Sequence, residues 1–472
     1  MARYFKYKTP DDLAADAVAL GHELPLATSC EALFLPAQIG GRTVGNRLIV
    51  LPMEGCDATL DGRPDELTYR RYRRFGAGGA KLIWGEAAAV LPEGRANPRQ
   101  LLIDEHTAPD FKRLLTECRR SHHETFGNTS DLLVGLQLTH SGRYSHVRCQ
   151  RVMRDPLLDP VTRDPVTKQI IDADLPLVSD DELRRIQDAF VAAAVRAAQI
   201  GFDFVDLKQC HRYLLSELLA ARTRPGPYGG SLENRTRMIR ELIARIRHEA
   251  PSLLIATRLN AYDGIPFQKA GPDEPGVPVP CPLPAETSFG ANADDPLQED
   301  SSEPVEVARR LRDWGVCLIN VTAGNPYACP HFLRPAEFPP VDGYHAPEHP
   351  LLGVLRHLRL TQRIQAAVPE LPVAGSGYSW LQEFAPLAAA AQIAAGQASL
   401  AGFGRATLSH PDFARTLQET GRLNRKQICR TFSYCTGLMR AKHHPLGQFP
   451  TGCPPFDKEV YGPIWDEARP DS

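Results

Sequence analysis

The chain has 472 residues, of which 43% are hydrophobic and 23% are charged, and its formal net charge is −2 at pH 7. These values predict a large buried core, and the near-neutral charge argues against nucleic acid as a partner. No apolar run is long enough for a transmembrane helix, and eleven cysteines in so long a chain favour a cytoplasmic protein with reduced thiols.

One pattern recurs along the chain: a helical segment, a glycine, a short apolar strand and a polar loop. The capping box at residues 179–182 begins one such helix, Gly201 ends it, and FDFVDL follows at once. Eight units of this kind predict an α/β fold, specifically a (β/α)8 TIM barrel with long βα loops. The predicted strands lie near residues 47–52, 81–86, 132–138, 204–208, 253–258, 317–322, 371–375 and 399–404.

The barrel is predicted to span residues 31–420. Residues 1–30, with a helix capped by Thr9, are expected to cover it, and residues 421–472 form a short cysteine-containing C-terminal extension. A proline-rich insert at 264–304 follows the fifth strand. It is either a solvated surface loop or a lid over the pocket.

Polar or small residues follow the predicted strands, where barrel enzymes place their chemistry. The glycine turn 375–377 and the pair Gly404–Arg405 follow strands seven and eight, and backbone N–H groups beside a cation predict a phosphate site. Gln137 can offer an amide to the edge of a flat ring. Arg258 can supply a fixed positive charge where a ring gains electrons.

Several segments of the sequence resemble the old yellow enzyme, or NADH:flavin oxidoreductase, family over residues 31–420. They are LFLPAQIGGRTVGNRLIVLPM (33–53), GGAKLIWGEAAAVLPEGR (78–95), LQLTHSGR (136–143), RTRPGPYGGSLENRTR (222–237), TRLNAYDG (257–264) and GFGRATLSHPDF (402–413). The resemblance implies a TIM barrel that binds FMN, with NADH or NADPH as electron donor. It also implies flavin contacts from Pro52, Met53, Ala87, Gln137, Arg258, Gly375, Ser376, Gly377, Gly404 and Arg405.

The segment after the fourth strand departs from the family. Many members carry a His, a His or Asn three residues later, and a Tyr two residues further on; this chain has Lys208, His211 and Tyr213 at those places. The resemblance implies that Lys208 and His211 hold a substrate oxygen and that Tyr213 donates a proton. A lysine is a compact cation and favours a carboxylate or an enolate. Alternatively, Lys208 pairs structurally with Glu54, and Tyr213 only packs at a helix start.

Glu54 and Cys56 follow Met53, close to where the resemblance places the flavin N5. Both are candidate catalytic residues. A carboxylate at Glu54 would disfavour an anionic reduced flavin unless Lys208 neutralises it.

The tail resembles the branch that contains trimethylamine dehydrogenase and 2,4-dienoyl-CoA reductase, which carry a four-cysteine iron–sulfur segment and further nucleotide-binding domains after the barrel. Those domains are not expected here. The chain has Cys429, Cys435 and Cys453, and Phe432 stands where a second CxxC cysteine belongs. The alternatives are a decayed segment that packs on the barrel, an iron–sulfur cluster with an unseen fourth ligand, or zinc bound with help from His443 or His444.

The main functional hypothesis is hydride transfer from NAD(P)H through flavin to an activated alkene, or the reverse dehydrogenation. The alternatives are an amine dehydrogenase of the trimethylamine dehydrogenase type, a Schiff-base lyase that uses Lys208, and a flavin-binding protein with little catalysis. In each case the partner is a small molecule, and a homo-oligomer is left open.

Overall fold

The computed structural model describes residues 4–271, 274–340 and 343–469. A closed barrel of parallel strands forms its centre, and all eight predicted strands and the (β/α)8 architecture are confirmed. Strands β1 (Ala37–Ile39) and β2 (Arg42–Val44) form a hairpin before the barrel. The eight barrel strands are β3 (Leu48–Val50), β4 (Leu82–Ala89), β5 (Leu133–Thr139), β6 (Phe204–Leu207), β7 (Leu254–Asn260), β10 (Leu318–Thr322), β11 (Val373–Gly375) and β12 (Leu400–Phe403). Strands β8 (Phe267–Gln268) and β9 (Val277–Pro278) pair with each other within the proline-rich insert.

Helices surround the barrel and flank it at both chain ends. They are α1 (Pro10–Ala19), α2 (Glu66–Gly76), α3 (Ala108–Phe126), α4 (Asp180–Ile200), α5 (Leu214–Ala220), α6 (Leu232–Arg235), α7 (Arg237–Glu249), α8 (Ser302–Trp314), α9 (Pro330–Leu333), α10 (Pro350–Ala367), α11 (Ala385–Ala394), α12 (Arg405–Ser409), α13 (Phe413–Thr420), α14 (Tyr434–Arg440) and α15 (Lys458–Ala468). The predicted caps are present: Ser179 and Glu182 form the capping box of α4, and Gly201 ends it at φ 105°. Among the described residues, no helix is both long and apolar enough to cross a membrane.

The barrel interior is apolar at one end and polar at the other. Side chains from the strands and from the β1–β2 hairpin fill the lower end as one cluster, in which Trp84 packs edge-on against Phe204 at 5.3 Å. Successive residues of a strand point to opposite faces, so every second residue continues inward. Along β6 the inward series runs from Phe204 through Asp206 to Lys208, from the apolar layer to the upper mouth.

The C-terminal extension contacts the upper mouth of the barrel. The backbone N–H of Thr451 donates to the Gly55 carbonyl at 2.6 Å, and Asp457 pairs with Arg70 at 2.8 Å and with Arg74 at 2.6 Å on α2. These contacts bring the extension against the loop that carries Glu54 and Cys56. The domain limits themselves stay a prediction.

The N-terminal segment packs against the part of the chain that follows β11, the seventh strand of the barrel. Thr9 caps α1 as predicted. The Phe5 ring packs edge-on against Trp380 at 5.5 Å, and its backbone N–H donates to the buried Glu337 carboxylate at 3.2 Å. Since Trp380 follows β11, this segment buttresses the region of the glycine turn.

Candidate active site

The loop after β3 is held in one shape by a buried ion network. Arg71 contacts Asp57 at 2.5 Å and Glu86 at 2.6 Å, and the other Glu86 oxygen accepts the Gly55 N–H at 2.8 Å. A Cβ on Gly55 would lie 2.1 Å from the Arg71 guanidinium, so a side chain here would displace Arg71 from its two ion pairs. Buried charges persist when paired and hydrogen-bonded in this way. The network therefore fixes the neighbouring residues Glu54 and Cys56.

Cys56 is 2% exposed and has a left-handed φ of 47°. The Asn97 amide donates to its sulfur at 3.6 Å. Burial, reinforced by the charge of Glu54, raises the pKa of the Cys56 thiol to about 12. It is therefore a neutral thiol at physiological pH, and the reactive thiolate form is suppressed.

Lys208 is a buried cation at the mouth of the barrel, with a side chain only 4% exposed. The Lys208 Nζ atom lies 3.7 Å from Glu54 Oε1 and 3.9 Å from the centre of the Tyr213 ring. The ion pair weighed from the sequence is thus present. At 3.7 Å it is longer than a hydrogen bond, so the N–H donors of Lys208 remain available to a ligand.

His211 follows Lys208 in the same loop, at a left-handed φ of 65°. Its Nε2 atom is buried and has no hydrogen-bond partner within the described residues. Burial holds the pKa of His211 well below its usual range, and the charges of Arg258 and Lys208 lower it further. The ring is therefore neutral at physiological pH, with an unsatisfied nitrogen that a ligand can engage.

Three tyrosines come together beside Lys208. The Tyr213 hydroxyl lies 2.9 Å from that of Tyr327, and the Tyr327 ring stacks on Tyr144 with centroids 4.0 Å apart. The Asn325 amide donates to the Tyr144 hydroxyl at 2.7 Å. Burial raises the pKa of Tyr213 well above its usual range, so this side chain keeps its proton. Sequence reasoning found Tyr213 but missed Tyr144, one residue beyond a family motif, and Tyr327, in a proline-rich loop.

Gln137 on β5 and Arg258 on β7 lie on either side of β6 and are 2% and 8% exposed. The Gln137 amide nitrogen donates to Asp206 at 2.5 Å. The Arg258 guanidinium makes a long contact of 3.4 Å to Thr322, while its Nε is buried and unpartnered among the described residues. Both side chains thus keep donors or acceptors for a polar ring edge.

The region after β11 and β12 has the backbone that a phosphate requires. Gly377 adopts a φ of 90°, and a Cβ on Gly375 would lie 2.2 Å from the Tyr378 hydroxyl, so the turn needs glycine. Arg405 donates to the Pro335 carbonyl through one nitrogen, while its Nη1 is buried without a partner in the described chain. Ser376 donates its hydroxyl to the Val321 carbonyl at 2.6 Å, which leaves its backbone to the ligand.

Three further predicted flavin contacts line the same mouth. Pro52 and Ala87 are buried at the ends of β3 and β4. A Cβ on Gly404 would lie 3.1 Å from the Met53 sulfur, so a side chain at this position would crowd Met53. Unpaired buried cationic N–H groups, a glycine turn and small residues together fit a flat ring that carries a phosphate, as FMN does.

The three cysteines of the extension lie near one another. The pKa of Cys453 is raised first by burial and then by Cys429 and Cys435. The described residues nevertheless contain no group of three or more His, Cys, Asp or Glu side chains placed to hold a metal ion. Phe432 packs against Phe338 at 5.5 Å. Metal binding by these cysteines stays a prediction.

Comparison with known proteins defines the class. Residues 32–274 match the model of the NADH:flavin oxidoreductase / NADH oxidase family, and the chain belongs to this family. It is 30% identical over 322 residues to a Geobacillus sp. NADPH dehydrogenase, a match that covers 67% of this chain and 77% of the relative. It is also 26% identical over 404 residues to the Thermoanaerobacter brockii NADH oxidase, covering 84% of this chain but only 52% of that protein.

Solved structures agree on the fold. The complex of 2-naphthoyl-CoA reductase with 2-naphthoyl-CoA aligns with a TM-score of 0.65 at 18% identity, covering 93% of this chain and 58% of that one. An old yellow enzyme homologue from Zymomonas mobilis aligns with a TM-score of 0.57 at 20% identity, covering 84% and 94%. The chain thus spans little more than half of the first of these proteins. It is an FMN-dependent oxidoreductase of the old yellow enzyme family, with NAD(P)H as electron donor.

Proposed function

We propose that the protein reduces alkenes conjugated to a carbonyl or carboxylate oxygen. One observation carries the proposal: the ammonium of Lys208, which Glu54 approaches no closer than 3.7 Å, lies in the mouth of the barrel, in the same loop as the unpaired Nε2 of His211. Two such groups can bind an oxygen that gains negative charge during the reaction. In many enzymes, hydrogen-bond donors that point at the charge developing in the transition state, in a site shielded from water, make the largest single contribution to the rate enhancement.

In this proposal one group of residues holds FMN and another binds the substrate oxygen. Gln137, Arg258, Arg405 and the turn 375–377 would hold FMN, which supplies hydride chemistry when bound. Lys208 stabilises the substrate oxygen, and the neutral His211 can donate a second hydrogen bond to it.

Tyr213 is the proposed acid for the alkene carbon next to the activating group. Its raised pKa keeps the proton in place, and its hydroxyl contacts that of Tyr327 at 2.9 Å. Tyr327 is 50% exposed as a whole residue, although burial of its hydroxyl raises its pKa well above the usual value; in this proposal it passes a proton from the protein surface to Tyr213. This pair provides a route by which the proton can be replaced.

The geometry speaks against an amine as substrate. Aromatic faces attract ammonium groups, but Lys208 already lies over the Tyr213 ring at 3.9 Å. A substrate ammonium would meet a like charge there. The Schiff-base lyase alternative needs a covalent adduct on Lys208, which borohydride would trap from a carbonyl ligand. A non-catalytic flavin binder would hold FMN that neither nucleotide reduces.

The test separates the two half-reactions. Lys208→Met keeps the length of the side chain and removes its charge, and Lys426→Met, on the exposed surface, is the control. Reduction of the flavin by NADPH or NADH should be nearly unchanged in both variants. Reoxidation by cinnamaldehyde or cinnamate should slow by about 100-fold in Lys208→Met, as when an oxyanion donor is lost. Equal reoxidation rates in wild type and Lys208→Met would refute the role of Lys208.

A further inference from the structure

Asp206 is a fully buried carboxylate inside the barrel, midway along β6. One of its oxygens accepts from Gln137 Nε2 at 2.5 Å and from the indole N–H of Trp84 at 2.8 Å, and the other accepts the backbone N–H of Arg258 at 2.8 Å. The same carboxylate therefore links β6 to β4, β5 and β7. Two of its partners are the residues assigned to the flavin ring edge.

A buried carboxylate without compensation would be strongly unfavourable. Here three N–H donors compensate it, and the Arg258 charge adds to them. Burial raises the pKa of Asp206 to about 6, while the bonds from Gln137, Arg258 and Trp84 act in the opposite direction. At pH 7 and above, the group is therefore mainly ionised.

The bond to Asp206 also orients the Gln137 amide. Its nitrogen faces the carboxylate, and within the described residues its oxygen accepts no hydrogen bond. The amide oxygen is then the group left to accept from a ring N–H, while the second amide hydrogen can reach a ring carbonyl. Without a fixed acceptor at Asp206, the amide could turn and present the wrong group.

The charge of Asp206 also affects the region beside Arg258 where the flavin ring would lie. Arg258 makes no ion pair with a carboxylate within 4.0 Å in the described parts of the chain, so its positive charge faces the site where a reduced ring becomes negative. The buried negative charge of Asp206 offsets part of this effect, because like charges in a low-dielectric interior repel.

We propose that Asp206 is a positioning residue for the flavin, which fixes the orientation of the Gln137 amide and lowers the reduction potential of the bound ring. The proposal rests on FMN binding, which family membership supports, and does not depend on the alkene substrate. Neither Asp206 nor Trp84 was singled out by the sequence.

The test measures the cofactor rather than turnover. Asp206→Asn removes the charge and keeps the shape. We expect the reduction potential of bound FMN, measured against a reference dye, to become more positive. We also expect the Kd for FMN to rise by about tenfold, because the Gln137 amide loses its bond to a charged acceptor and is no longer held in the orientation that faces the ring edge.

Asp203→Asn is the matched control, because Asp203 lies just before β6 and pairs with Arg42 and Arg119 at the lower end of the barrel. It should lower the melting temperature without moving the potential. Should Asp206→Asn fail to fold, Trp84→Phe removes a single donor to the same carboxylate. Because the Trp84 hydrogen bond holds the Asp206 pKa down, its loss leaves a larger fraction of Asp206 neutral near pH 7 and should move the potential in the same direction by a smaller amount.

The proposal is overturned if the first of these variants to fold with FMN keeps the wild-type potential, or if Asp203→Asn shifts the potential as much. An unchanged Kd in Asp206→Asn would overturn the part that concerns Gln137. Because no alkene is present, a failure here leaves the proposed function intact. Conversely, a wild-type flavin that no alkene reoxidises leaves this proposal intact.

Discussion

Replacing Glu54 by glutamine should strengthen the binding of carboxylate ligands. Glu54 and a substrate carboxylate compete for the same ammonium of Lys208, and Glu54 lies 3.7 Å from it. Coulomb's law at this distance gives about 4.5 kcal/mol at an effective dielectric constant of about 20, and about 1 kcal/mol in bulk water. The Glu54 side chain is 17% exposed, so the effect lies between these limits. Even the lower limit corresponds to about fivefold tighter binding.

The assay is a titration of the oxidised enzyme with cinnamate, followed by the change in the flavin absorption band. Cinnamaldehyde, which has the same ring and no charge, is the matched neutral ligand. We expect the Kd for cinnamate to fall at least about fivefold in Glu54→Gln at low ionic strength, with a smaller change for cinnamaldehyde. A cinnamate Kd that is unchanged or higher would refute the placement of Glu54 and Lys208 as competing partners.

Two further predictions concern proton transfer and acid stability. Tyr327→Phe removes the hydroxyl beside Tyr213, so alkene-driven reoxidation should slow by about tenfold while reduction by NAD(P)H is unaffected; equal rates in a stopped-flow comparison would exclude Tyr327 from the proton route. Burial lowers the pKa values of His122, His140 and His357 to about 4. A depressed histidine pKa gives stability that is present above its usual value of about 6.5 and is lost as the pH falls through 4. The urea midpoint should therefore fall steadily between pH 6.5 and 4, and a constant midpoint would contradict this burial.

The barrel could be predicted because its signals are local. Strands buried on both faces form continuous apolar runs, and helices begin and end at capping residues such as Ser179 and Gly201. The position after a strand points to Lys208, His211 and Tyr213, and the family resemblance adds Glu54 and Cys56. The structure brings these residues together. Their catalytic roles stay predictions.

The rest of the site depends on contacts between distant segments. Asp206 lies in the run FVDL, which in the sequence is an apolar strand with one acidic residue. Its proposed role depends on hydrogen-bond partners on β4, β5 and β7. Tyr327 belongs to a loop that Asn325, two residues before it, ties to Tyr144, and Tyr144 lies 181 positions before Asn325 in the sequence. The approach of Thr451 to Gly55 joins residues almost 400 positions apart, and no local pattern specifies such a contact.

The most direct test of the central claim is the absorption spectrum of the FMN-loaded enzyme under anaerobic conditions. We expect NADPH or NADH to bleach the flavin band, and one equivalent of cinnamaldehyde to restore it with formation of the saturated aldehyde. A flavin that is bleached by an amine but by neither nucleotide would contradict the account and favour the amine dehydrogenase alternative. A band that nucleotide bleaches and no conjugated alkene restores would contradict the proposed alkene reduction.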